Sequence, residues 1–129
     1  MSKPNPTDRK YDKEHEWAKD NGDGTVTMGI TDHAQELLTD IVFVELPDVG
    51  KKVEQMKPMA VVESVKSVSD VYAPASGEII EVNTALEDEP EIINSDPFAG
   101  GWICKIKMND PKQLDDLMDA SAYDDLIKE

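Results

Sequence analysis

The chain has 129 residues, 32% of them charged, and a formal net charge of −15. That balance excludes nucleic acid and anionic membrane as natural partners, since both repel it. One cysteine excludes an internal disulfide framework, and no apolar run approaches the length of a membrane span.

The length suits one domain, 1–129, able to bury a core of its own. Residues 1–9 read as a loose tail, because Pro4 and Pro6 interrupt regular structure. They hold no apolar signal core and are too proline-rich for an amphipathic transit helix, so the expected address is the bacterial cytoplasm. Residues 14–19 read as a strand, Asn21-Gly22-Asp23-Gly24 as a turn, and 25–30 as the returning strand. Thr31 or Asp32 can cap a short helix that runs to Leu38, with Leu37 and Leu38 facing inward. Residues 40–45 form the next strand, and Pro47 and Gly50 turn the chain toward Val53.

Residues 59–73 come next, a run of valines and small residues without Gly or Pro. It reads as two strands meeting at a tight turn, with Lys66 near the tip. No other Lys or Arg stands between Lys57 and Lys105. One reading makes Lys66 a gatekeeper that keeps a valine-rich hairpin from pairing edge to edge. The other makes it a modification site, since acylation there would replace a charge by a long mobile arm. The residues alone leave both open.

The flanks of this hairpin nearly repeat. Val44 to Glu54 and Val71 to Glu81 both read V-x-x-P-x-x-G-x-x-[VI]-E. Duplication is the favoured reading, with two similar halves about a pseudo-twofold and the lysine at their junction. Gly77 then turns the second half into a strand over 78–82. Residues 86–101 are an acidic insertion in which Pro90 opens a short helical turn and Ile92 and Ile93 pin it to the body. The last strand spans 102–108. Its period of two puts Trp102, Cys104, Ile106 and Met108 on one face and Lys105 and Lys107 on the other, so Cys104 is a core filler and not a nucleophile. Asp110, Pro111 and Gln113 make a helix start, with Leu114, Leu117 and Met118 on its apolar face. A final helix holds Tyr123, Leu126 and Ile127. Short strands with helices at the margins give a mainly β fold, a sandwich or flattened barrel.

Catalytic apparatus is not visible. No nucleophile–base pair stands out, no phosphate cradle is present, and two histidines, His15 and His33, are too few for a histidine-dominated zinc site. No calcium loop pattern appears among the many carboxylates. A carrier fits this better than an enzyme.

One family carries the residues in question. Tyr11, His15-Glu16-Trp17, the segment from Gly29 through Asp32-His33 to Leu38, Asp40 to Pro47, and Val62-Glu63-Ser64-Val65-Lys66 all match it. So do Ser69-Asp70-Val71, Ala73-Pro74, Ser76-Gly77-Glu78, Glu81-Val82-Asn83, Leu86, Asn94-Ser95, Pro97, Gly101-Trp102 and Lys105-Ile106-Lys107. With these the chain resembles the H proteins of the glycine cleavage system, which are lipoyl carriers, over nearly its whole length. The resemblance implies two antiparallel sheets of the lipoyl/biotinyl-carrier kind, with lipoate attached covalently to Lys66 as N6-lipoyllysine. It implies a monomeric shuttle with several partners. A P protein, a pyridoxal-phosphate glycine decarboxylase, loads an aminomethyl group onto the arm. A T protein, an aminomethyltransferase, passes it to tetrahydrofolate. An L protein, dihydrolipoyl dehydrogenase, reoxidises the dithiol, and a lipoate-attaching enzyme reads Glu63, three residues before Lys66. Glu16 and Asp70 match acids implicated in the cleft that shelters the loaded arm, while Leu37 stands where some relatives carry histidine. Ser64 and Ser67 read as residues that keep the turn small. The alternative role is a relay that supplies lipoyl groups to other proteins. Biotin carriers, with methionines beside their lysine, and 2-oxo-acid dehydrogenase lipoyl domains, with Asp-Lys-Ala, fit Val65-Lys66-Ser67 less well.

Overall fold

The computed structural model describes residues 4–128. Its strands are β1 (Lys10–Tyr11), β2 (Glu16–Asp20), β3 (Thr25–Ile30), β4 (Ile41–Glu45), β5 (Lys52–Val53), β6 (Pro58–Ser64), β7 (Val68–Tyr72), β8 (Gly77–Val82) and β9 (Cys104–Met108). Helices are α1 (Asp32–Leu38), α2 (Ala85–Asp88), α3 (Ile92–Ser95) and α4 (Ala120–Ile127), and a 3-10 helix covers Pro111–Asp116. Two antiparallel sheets result, one ordered β1-β2-β3-β9-β8-β5 and the other β4-β6-β7. The fold is mainly β, as the strand pattern predicts.

Alternation builds the layers. On β9, Cys104, Ile106 and Met108 are buried while Lys107 is exposed. Val26, Met28, Ile79 and Ile106 from the larger sheet share one core with Val44, Val62 and Val71 from the smaller. Leu86, Ile93 and Leu114 close its open ends. Each such side chain contributes about 1.5–3 kcal/mol when fully buried. The outward residues of the larger sheet pair across strands. Lys105 stands opposite Glu81 and Lys52 opposite Glu78, with ion pairs of 3.3 and 3.7 Å.

A second cluster holds the chain ends. Tyr11 stacks on Tyr123 of α4 at 4.8 Å between ring centres. The Trp17 indole N–H donates to the carbonyls of Ile30 and Pro97. Arg9 lies over Trp17 and donates to the Phe98 carbonyl. The expected loose tail is therefore docked over its described part. Asn5 donates to Asp124, Pro6 accepts from the Tyr11 hydroxyl, and the Arg9 side chain is 8% exposed. Residues 1–3 lie outside the described residues.

Three local expectations need correcting. Leu37 is 53% exposed, not inward. Ala34 and Leu38 set the buried stripe of α1, and Leu37 sits about 100° round the helix from Leu38. Gly77 is not a turn residue. It opens β8, paired with Val53 and Met108, and a Cβ there would lie 2.0 Å from the Lys107 carbonyl oxygen. Its counterpart Gly50 has open space but a φ of +93°. Close backbone approach demands the first glycine and a left-handed conformation the second. Finally, the segment from Pro111 is 3-10 and not α-helical. Asp110 caps it by accepting from the Lys112 N–H. Gln113 does not reach back to the cap; it bonds the Ser76 backbone and hydroxyl instead.

Candidate functional site

The β6–β7 hairpin ends in a turn whose tip residues are Val65 and Lys66. The Ser64 N–H donates to the Ser67 carbonyl at 2.8 Å. Ser64 Oγ accepts from the backbone N–H of both Lys66 and Ser67, at 3.1 and 3.0 Å. The hydroxyl therefore does what a turn carbonyl does elsewhere. Ser64 closes the turn; small size is not its only merit. The Val65 N–H donates to the Asp40 carbonyl at 3.0 Å, which ties the tip to the α1–β4 corner. Lys66 itself is exposed. Its Nζ rests 3.5 Å from the Leu37 carbonyl in the last turn of α1, a weak contact on the electronegative end of a helix. Among the described residues it has no ion pair.

The corner beneath the tip is braced from the acidic insertion. Asn94 of α3 donates to the Thr39 carbonyl and Gln35 Oε1, both at 2.8 Å, and accepts from the Ile41 N–H at 2.9 Å. Thr39 has a φ of +67°, costly for a β-branched residue, and these bonds hold its carbonyl and the next strand in place. At the other end of α1, Thr31 Oγ1 accepts from the Ala34 N–H and bonds the Tyr123 hydroxyl at 2.7 Å. That hydroxyl also meets His15 Nδ1 at 2.8 Å. A continuous chain of contacts thus runs from α4 through α1 to the platform that carries Lys66.

Glu63, expected as a recognition residue, and Glu16 and Asp70, expected around the arm, lie in very different places. Glu63 is half-buried on β6, opposite Val68 and Phe43. Asp70 is exposed on β7, opposite Val61. Glu16 is 2% exposed and does not open to the surface. Its Oε2 accepts the Tyr72 N–H at 2.9 Å and so joins β2 to β7 across the two sheets. Its Oε1 meets no donor, and neither does Asp12 Oδ2. One proton between the two carboxyl groups satisfies both. Asp12 Oδ1 already accepts the N–H groups of Glu14 and Glu16, each at 3.0 Å, which favours the charge on Asp12. Burial, then the Asp12 carboxyl, push Glu16 up to about 11. Burial also raises Asp12, against the pull of its hydrogen bonds. The proton therefore sits on Glu16. Asp12 lines a hollow of about 380 Å³ with Met56, Leu117 and Met118; Glu16, Asp70 and Lys66 do not line it.

Other candidates fall away. Cys104 is fully buried, and burial pushes its thiol up to about 12, so it is an inert filler. His15 and His33 lie 4.8 Å apart, and burial followed by His33 lowers His15 from its ordinary value. Among the described residues no group of His, Cys, Asp and Glu is placed to hold a metal ion. Nor, among the described residues, is any helix long and apolar enough to cross a membrane.

Comparison with known proteins points to one family. The family model described as glycine cleavage H-protein matches residues 9–129. A glycine cleavage system H protein of Escherichia coli is 58% identical over 124 residues, 96% of each chain. One of Vibrio parahaemolyticus is 56% identical over 120 residues, covering 93% of this chain and 95% of that one. The crystal structure of a glycine cleavage system H protein from Mycobacterium marinum superposes with a TM-score of 0.86 at 43% identity, over 94% of this chain and 97% of the other.

Proposed function

The chain belongs to the glycine cleavage H-protein family, and from that premise we propose that it is a lipoyl shuttle whose arm is tethered at Lys66. The observation that carries this reading is the isolated, exposed amine at the tip of a turn closed by Ser64 and braced by Asn94. The residues suit an acyl group there. No ion pair has to break, the helix-end contact at 3.5 Å is weak, and the stem is free to swing. When bound, a dithiolane supplies thiol–disulfide exchange, by which an aminomethyl group from glycine is taken up and released.

The rest is the work of this chain. Lys66 anchors the arm, and the hairpin presents it at a fixed height above the body. Asp70, exposed on the same hairpin, offers a carboxylate to a cationic load. Glu16, buried and protonated, sets the position of Tyr72 and so of β7, and acts on the arm only through that strand. The proposed partners are the P, T and L proteins of the glycine cleavage system and a lipoate-attaching enzyme. The protein itself is a carrier and performs no chemistry alone. The proposed setting is one carrier domain in the bacterial cytoplasm, as the bacterial relatives support.

Intact mass of protein produced with lipoic acid tests the tether. A single lipoyl adduct is expected on the wild type and none on Lys66→Arg. An adduct that persists in Lys66→Arg overturns the assignment. Transfer activity with purified P, T and L proteins then tests the shuttle role.

A further inference from the structure

Exposed apolar side chains are not scattered over this surface. Of the eight large ones among the described residues, Leu37, Val42, Phe43, Val65 and Val68 lie on the hairpin tip, on β4 beside it, or in the last turn of α1. Register aligns them. Phe43, Glu63 and Val68 stand opposite one another in one row of the three-stranded sheet, and Glu45, Val61 and Asp70 form the next row. Both rows face outward, because the alternate positions Val44, Val62 and Val71 are buried. A bulge between Ile41 and Phe43 breaks the alternation of β4, so Val42 and Phe43 both point to solvent, at 51% and 48% exposure.

Charge on the two sheets is segregated. In these two outward rows the ionisable residues are Glu45, Glu63 and Asp70, all acidic. The larger sheet carries Lys19, Lys105, Lys107 and Lys52 in its rows, interleaved with Thr25, Thr27, Glu78 and Glu81. One face is apolar and acidic; the other is basic, and its Lys19, Lys52 and Lys105 form ion pairs. A patch of the first kind, beside a functional group, is what a protein partner covers.

We propose that the outer face of the β4-β6-β7 sheet, with Phe43 as its anchor, is gripped by the enzyme that acylates Lys66, through an apolar hollow rimmed by lysine or arginine. This rests on the tether reading above. The choice of occupant follows from reach. An enzyme that bonds Nζ must come within one lysine side chain of the turn and so must press on Val65, Val68 and Phe43. Enzymes that act on the far end of an arm can stand off by its length. In the acylation, the neutral amine attacks the carbonyl of a lipoyl group activated as a mixed anhydride with AMP. The C–N bond forms, the acyl C–O bond breaks, AMP leaves with the bonding pair, and the amine gives up a proton. The face takes no part in those bonds. It supplies a fitted aromatic anchor and steers a basic mouth onto an acidic sheet.

The test uses purified unmodified protein with a lipoate–protein ligase, ATP and lipoate, followed by intact mass. Phe43→Ser and Val68→Ser should each lower kcat/KM at least tenfold through KM, with kcat within twofold. Both side chains are about half exposed or more, so thermal melts should match the wild type, and either variant alone suffices. Glu45→Lys with Asp70→Lys should abolish the fall of kcat/KM with added salt. Thr27→Ala, on the other sheet, should change nothing. If both serine variants stay within twofold of a wild type that is acylated at Lys66, this face is not the grip and the tether reading survives. A loss confined to kcat overturns it equally. If the wild type accepts no lipoyl group at Lys66, both readings fall.

Discussion

Glu16→Gln probes the one buried proton in this protein whose cost can be worked out. Glu16 keeps its proton in the fold, while in the unfolded chain it ionises near its ordinary value of 4.5. Holding that proton at pH 7 costs about 3.4 kcal/mol, at about 1.4 kcal/mol per pH unit. The figure does not depend on how far above 7 the folded value lies. The sign follows from the raised value. Below pH 4.5 the penalty is absent; it grows as pH rises and stops growing only above the folded value. Glutamine keeps both contacts. Its amide oxygen can accept the Tyr72 N–H, and its amide N–H can donate to Asp12 Oδ2, whose own lone pairs are otherwise unmet. It does not titrate. Repulsion among the other carboxylates is common to both proteins and cancels in the difference. Urea unfolding at a series of pH values should therefore show the stability gap between Glu16→Gln and wild type widening in the variant's favour by about 4 kcal/mol from pH 5 to pH 8. A constant gap across that range would refute the shared proton.

Other contacts make smaller claims. Ser64→Ala leaves two turn N–H groups to water; stability should fall by about 0.5–1 kcal/mol, and lipoylation of Lys66 should slow as the turn loosens. Unchanged melting and unchanged lipoylation together would return Ser64 to the status of a small spacer. Gly77→Ala drives a Cβ into the Lys107 carbonyl and should cost more than the overpacking range of about 1–3 kcal/mol, exceeding Gly50→Ala, whose φ of +93° alone is strained. Denaturation midpoints in the reverse order would show that the β8–β9 contact relaxes freely. Tyr123→Phe removes a hydroxyl shared by His15 and Thr31 and should cost about 1–3 kcal/mol. A variant as stable as wild type would mean that α4 does not brace α1.

Where a residue's role depended on its own neighbours, the sequence was readable. Lys66 at a turn, the inward Cys104, Ile106 and Met108 of β9, the Thr31 cap and the pinning by Ile93 all follow from period, cap chemistry or valine density, and all are found in place; Trp102, expected on that same face, instead lies before the strand under Lys105. Leu37 was misread because a seven-residue helix shows too little of its period to tell a stripe from its shoulder. Gly77 was misread because the repeat that groups it with Gly50 records spacing and not the reason for a glycine. Glu16 was picked out by family likeness as an acid of the arm cleft. No local signal announced that Asp12, four residues earlier, would bury a second carboxyl against it. Phe43 passed as a strand residue because a bulge leaves no mark in composition. Asn94 looked like part of an acidic loop, and only its bonds to Thr39, Gln35 and Ile41 show it as a brace.

Sequence alone determined the class of fold and the hairpin with Lys66 at its tip, because those rest on alternation, turn chemistry and one cation set among valines. Tertiary structure alone decided which acids are charged, which apolar residues face out and what holds the tip still. Those properties belong to pairs of residues far apart along the chain, where burial and register, not residue type, set the energy.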